Sequence, residues 1–309
     1  MDEIQGYRLT RELSAQDAGF SRWGFGEKAG REYYIKEFLS PVYPVDSGEL
    51  SEKLLVKKRK SCEDFYRKKK TFYDTLRSCR TGNIITIEDF FRHENRYYII
   101  TDKVAEKKLT NRQLASLPDK KKLILIRSLL YSFSALHGAG IVHADVKPEN
   151  ILLKSTADNG ITGKIVDFDS GFLKNDPPSP QELQGDFLYL APEAFLFIDG
   201  ETVTVDGKID VFALGILFHL YWTGELPAIP KERHYVFEAV LNGEPVGISE
   251  KIPDPLRSLI VRMLKESPTD RPSAAEALQI LSGKVPKPTP KSNPPEGGRS
   301  GFYVPDDLD

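Results

Sequence analysis

An α+β fold, a small sheet lobe followed by a larger helical lobe, is predicted by three observations along the chain. The N-terminal third carries runs rich in β-branched and aromatic residues at 7–13, 23–27, 32–38, 84–92 and 97–104, parted by turn signals such as Ala29-Gly30 and Glu94-Asn95. The remainder keeps helical spacing instead, with a stripe through Leu123, Ile126, Leu130 and Phe133 that Gly138 and Gly140 close. Directly after those glycines two apolar runs hold a polar loop, residues 141–153, reading I-V-H-A-D-V-K-P-E-N-I-L-L. Strands followed by helices, rather than alternating with them, give the α+β order.

The five runs read as five strands with one interruption. Residues 40–80 open with Pro41 and Pro44, then space Phe65, Tyr66, Lys69, Tyr73 and Leu76 as one helix beside the sheet. The sheet lobe is expected over 1–104 and the helical lobe over 105–282. Helices are expected at 111–117, 120–137 and 209–223. The apolar core of the last, 211–222, is shorter than the roughly 20 residues a bilayer requires and suits a buried helix. Three more helices fall between 235 and 282, the last opened by the capping box Ser273-Ala274-Ala275-Glu276. Residues 283–309, rich in Pro, Gly, Lys and Ser, read as a disordered tail. The apolar and then acidic end, 301–309, has a docking peptide for a partner or for the chain's own surface as its alternative reading.

Composition is that of an ordinary globular protein: 309 residues, 40% hydrophobic, formal net charge -2. That balance gives no reason to expect nucleic acid or an anionic membrane as partner. Cys62 and Cys79 cannot build a disulfide framework, and Met1-Asp2-Glu3 does not open a signal peptide, so a reducing, cytoplasmic setting is expected. The basic runs 57–60 and 67–70 read first as a solvated helix face and second as a site for an acidic partner.

The chemistry concentrates in the polar loop. It sets an acid, a cation and an amide at Asp145, Lys147 and Asn150, stiffened by Pro148, and a second acid, Asp167, follows the strand-like run 164–166. H-A-D-V-K-P-E-N followed by Asp167-Phe168-Asp169 resembles the catalytic loop and metal-binding D-F-G of the eukaryotic-like (Hanks-type) serine/threonine protein kinase family. The compact chain and its departures resemble a prokaryotic member. The resemblance covers about 7–282 and implies the two-lobed protein-kinase fold. It implies transfer of the γ-phosphate of ATP, with Mg2+, to serine or threonine hydroxyls on protein substrates.

By the same resemblance, Asp145 would orient the acceptor hydroxyl and take its proton, and Lys147 would neutralise the γ-phosphate. Asn150 and Asp167 would hold Mg2+ through hard oxygens. Lys36 in Tyr34-Ile35-Lys36 would hold the α- and β-phosphates. Thr101 resembles the gatekeeper, the backbones of Asp102 and Val104 would meet adenine, Leu152 would close the pocket floor, and Gly19 is the glycine that remains of the phosphate loop. Ala191-Pro192-Glu193 and Arg271 resemble the activation-segment anchor, and Asp210 the acid that supports the catalytic loop; His143 reads as structural.

The departures carry expectations of their own. The loop Leu13-Ser14-Ala15-Gln16-Asp17-Ala18-Gly19 lacks the G-x-G-x-x-G amide cradle, and Tyr34 stands where alanine usually covers adenine. Helical phasing puts Lys69 at the place of the glutamate that pairs with the strand lysine, so Lys36 must find Asp167, or Glu63 in another register. Ala144 replaces the arginine that receives an activation-segment phosphate, which implies activity independent of phosphorylation there. Asp169 replaces a glycine and should stiffen the segment, while Asp186 is expected to pair with Lys147. A nucleotide-binding scaffold that regulates partners without catalysis is the rival reading; the altered loop, Tyr34 and Lys69 favour it, and the intact acids oppose it.

Overall fold

The computed structural model describes residues 3–15, 21–45, 51–79, 81–156 and 160–283. Strands β1 (Glu3–Ile4), β2 (Tyr7–Leu9), β3 (Ser21–Lys28) and β4 (Arg31–Phe38) precede helix α1 (Glu52–Ser78), and β5 (Ile87–His93) and β6 (Arg96–Asp102) follow it. These strands form one antiparallel sheet in the order β1-β2-β3-β4-β6-β5. The two residues of β1 went unread in the sequence because so short a strand shows no alternation. Helix α1 lays Leu55, Cys62, Phe72, Tyr73 and Leu76 into the core. Phe65, Tyr66, Phe90 and Tyr97 join its ring contacts against the sheet.

The second half opens with α2 (Asn111–Ala115) and α3 (Asp119–Gly138), then two small antiparallel ladders. One pairs β7 (Ile141–Val142) with β10 (Phe172–Leu173), and the other pairs β8 (Ile151–Ser155) with β9 (Ile161–Ile165). Helices α4 (Pro192–Ile198), α5 (Lys208–Thr223), α6 (Val236–Leu241), α7 (Leu256–Met263) and α8 (Ala274–Leu281) complete it. Every residue of α5 from Ile209 to Trp222 is buried, as its unbroken apolar sequence requires. Among the described residues no helix is long and apolar enough to cross a membrane. Of the tail expected over 283–309, all but Gly283 lies outside the described residues.

One core group makes a pH-dependent contribution. His219 on α5 donates from Nδ1 to the Glu225 carbonyl at 2.9 Å and accepts the Ser249 amide at Nε2 at 3.2 Å, so its neutral form fits and its cation does not. Burial lowers its pKa from the ordinary 6.5. Above that value the ring is neutral folded or unfolded and costs nothing; below it the unfolded chain takes up the proton first, and stability falls. The melting temperature should therefore drop as the pH falls through and below about 6.5, with a shallower slope in His219→Gln. Parallel curves for the two proteins would refute this.

Candidate active site

Asp145 is placed by a loop whose shape is fixed from below. Ala144 adopts φ +64, a conformation costly for a residue with a Cβ. The fully buried Asp210 holds it there: its carboxylate accepts the amides of His143 and Ala144, each at 2.9 Å, and meets His137 Nε2 at 2.9 Å. His143 is structural, as expected, donating from Nε2 to the Val166 carbonyl at 3.0 Å and accepting the Asp145 amide at Nδ1 at 3.3 Å. Gly185 crosses this loop so closely that a Cβ there would stand 3.0 Å from the Ala144 oxygen.

On this base the three loop residues converge. Asn150 Nδ2 donates to the Asp145 carbonyl at 2.7 Å and to its Oδ2 at 2.9 Å, and Lys147 Nζ stands 3.0 Å from the same carboxylate oxygen. The expected pairing of Lys147 with Asp186 is therefore corrected. Lys147 takes the nearer acid, while Asp186 donates its amide to Asp145 Oδ1 at 3.3 Å and turns its own carboxylate to the Leu188 amide. Burial disfavours the Lys147 charge, but Asp145 and then Asp186 outweigh it and raise its pKa.

The opposite wall is the inner face of the sheet. Lys36 on β4 reaches across the lobes to Asp167 Oδ1 at 2.8 Å and to Asp169 Oδ2 at 2.7 Å. Its side chain is 11% exposed, whereas those of Asp167 and Asp169 are 41% and 33% exposed. Burial works against the Lys36 charge and the two carboxylates overcome it, raising its pKa; Lys36 in turn holds Asp167 below its ordinary value against the effect of burial. Of the acids weighed for Lys36, Asp167 is found. Glu63 is exposed on α1 and forms no ion pair with Lys36. Lys69 does face the site, and it donates to the Asp169 backbone carbonyl at 2.6 Å. Burial lowers its pKa.

Asp169 is the residue sequence reasoning misjudged, as a stiffener of backbone and not as a partner. Charge balance was the available signal: one lysine too many on the helix and one acid too many after Phe168. The ceiling beside Lys36 was also missed in part. Trp23 pairs with Lys36 in the ladder and stacks on Tyr34 at 5.8 Å and 22°, with Phe25 edge-on to both. Tyr34 thus lies flat against a neighbour, and burial pushes its phenol up to about 12.

Thr101 is buried at the end of β6, and the Asp102 carboxylate accepts the Thr86 amide at 3.0 Å and Lys164 Nζ at 2.9 Å. Val104 and Leu152 are half-buried; Gly19 and most of the altered loop, 16–20, lie outside the described residues. The activation-segment anchor forms as expected: Arg271 is bidentate to Glu193 at 2.7 and 2.8 Å in the interior. A groove of about 1240 Å³ opens between α4, α6 and α7 and includes none of the expected catalytic or nucleotide residues.

A protein-family model described as the protein kinase domain matches residues 46–281. The chain belongs to the protein kinase family. It is 26% identical over 289 residues to calcium-dependent protein kinase 27 of Arabidopsis thaliana, covering 90% of this chain and 54% of that one. It is 27% identical over 249 residues to calcium/calmodulin-dependent protein kinase type II of Caenorhabditis elegans, covering 77% and 33%. The phosphorylase b kinase gamma catalytic chain of Bos taurus, liver/testis isoform, is 30% identical over 205 residues, covering 64% and 49%. The chain thus spans about half the length of these relatives or less. Among solved structures, Rad53 1-466 in complex with AMP-PNP superposes with a TM-score of 0.63 at 20% identity, covering 89% of this chain and 65% of that one, a likeness of fold. The two-lobed kinase fold and the Hanks-type serine/threonine class expected from the motifs are borne out. The family match begins at residue 46, past Lys36 and the altered loop.

Proposed function

We propose that this protein kinase transfers the γ-phosphate of Mg-ATP to serine and threonine hydroxyls of protein substrates, with 1–104 and 105–282 as its two lobes. The observation that carries the reading is the 2.8 Å contact between Lys36 and Asp167, which sets the strand lysine and the expected metal acid at one point of the cleft. In this reading Asp145 receives the acceptor proton and Lys147 neutralises the phosphoryl group in flight. Thr101, Asp102, Val104 and Leu152 line the adenine end, and Gly19, outside the described residues, is the glycine assigned to the phosphates.

The donors fit magnesium. The Asn150 amide nitrogen is committed to Asp145, which leaves its carbonyl oxygen as a ligand, and Asp167 adds a carboxylate. Two hard oxygens, with water and phosphate completing the shell, are the donor set this ion prefers. When bound it would supply charge neutralisation to the phosphates.

The deciding assay is incorporation of labelled phosphate into a generic basic protein substrate. Wild type should label it, with strong losses in Asp145→Asn and Lys36→Met; equal incorporation by all three would defeat the enzyme reading. A catalytically silent, nucleotide-binding module is the second reading, favoured by the Tyr34 ring, stacked on Trp23, where alanine usually covers adenine. Thermal stabilisation by Mg-ATP without labelling would select it.

Independence from activation-segment phosphorylation is supported locally. Ser179 is bonded through amide and hydroxyl to Glu182 at 2.9 and 2.8 Å, so a phosphate there would face a carboxylate. Ala144 offers no cation in compensation. Ser170→Glu and Ser179→Glu should accordingly leave the transfer rate near wild type; a large gain from either refutes the proposal.

A further inference from the structure

Four charged groups meet behind the cleft: Lys36, Lys69, Asp167 and Asp169. Their formal charges sum to zero, and each ammonium has a partner in the Asp167–Asp169 segment. Lys36 holds both carboxylates, at 2.8 and 2.7 Å, and Lys69 holds the Asp169 carbonyl at 2.6 Å. If Asp167 turns to a metal ion, one carboxylate stays with Lys36, and it is Asp169. The acid that orients the strand lysine would then sit on the activation segment and not on α1, where Lys69 occupies the available turn. An acid at position 69 would place a third carboxylate beside Asp167 and Asp169, whereas a lysine there balances them.

We infer that Asp169 is the positioning residue for Lys36 in phosphate binding, and that Lys69 is its obligate counterpart, fixing the Asp169 backbone from α1. The inference rests on Lys36 being the phosphate-holding lysine proposed above. It makes two predictions that a merely structural role would not. The first is that Asp169 acts only through Lys36. The second is that the acid can change sites: in the exchange pair, Lys69→Glu with Asp169→Gly, a carboxylate returns to Lys36 from the helix.

The test uses the full chain, labelled ATP with Mg2+ and a basic substrate, together with the dissociation constant of a fluorescent ATP analogue. Asp169→Asn, isosteric but uncharged, should lower kcat/KM for ATP by about 10- to 100-fold, the loss of one charged hydrogen bond, and weaken the analogue's binding in the same direction. On a Lys36→Met background it should add no further loss. Lys69→Glu alone should be worse than Asp169→Asn, and the exchange pair should recover at least about tenfold over either of its single variants.

Wild-type kcat/KM in Asp169→Asn, an equal fractional loss on the Lys36→Met background, or an exchange pair no better than its singles would each overturn the inference. If the exchange pair does not fold, as shown by its melting curve, the Lys36→Met comparison still decides. If wild type binds the analogue but transfers no phosphate, the enzyme reading fails, and the same order of variants in binding alone still tests Asp169.

Discussion

Asp145→Asn is expected to slow phosphoryl transfer by about 10²- to 10⁴-fold, the usual worth of a positioned general base, while nucleotide affinity stays near wild type. The Asp145 carboxylate sits at the centre of a web: Asn150 and Lys147 on Oδ2, the Asp186 amide on Oδ1. An amide fills the same volume and keeps one acceptor oxygen. It cannot take a proton from a hydroxyl, and if its nitrogen replaces Oδ2 it faces the Lys147 ammonium and the Asn150 amide, both donors. The loop's shape survives because Asp210 sets it independently through the His143 and Ala144 amides. Turnover at saturating ATP, together with analogue binding, separates the two effects; an unchanged kcat would remove Asp145 from the chemistry.

Arg271→Leu should be the most damaging of these changes for stability, at about 3–5 kcal/mol, the cost of stranding one half of a buried ion pair. The guanidinium is fully enclosed, bidentate to Glu193, bonded to the carbonyls of Lys265, Lys208 and Glu266, and stacked 4.9 Å over the Phe212 ring. Removing it strands the Glu193 carboxylate and takes a donor from three carbonyls at once. Against a total near 5–15 kcal/mol, the melting temperature should fall by roughly 10 °C or more. Arg271→Leu with Glu193→Gln should cost less than the sum of the single changes. A drop as small as that of an exposed pair, below about 1 kcal/mol, would show that the anchor is solvated.

What the sequence made legible follows from range. Asp145, Lys147 and Asn150 stand within six positions, so their pattern was visible locally, and the structure brings them together. Helix α5 was legible because burial on every side leaves no polar face to obscure it. The link from Lys36 to Asp169 joins residues far apart in the chain through two lobes, and no local period encodes it. The pairing assigned to Lys147 failed for the opposite reason: Asp145, two positions away, was closer than any partner delivered by the activation segment. Strands β7 and β10, two residues each, are held by tertiary placement and carry too few side chains to show alternation.

The aromatic ceiling has one further consequence, an optical one. The chain has two tryptophans, and the fold sends them to separate lobes. Trp23 lies half-buried on the inner sheet face against Tyr34, whereas Trp222 is sealed in α5, its indole bonded to the Lys251 carbonyl and covered by Lys122. Intrinsic emission therefore has two sources of unlike polarity, one reporting the small lobe and one the large. With Trp222→Phe the remaining emitter watches the sheet by itself, and with Trp23→Phe the helical lobe, so the melting of each lobe can be timed without attaching a dye.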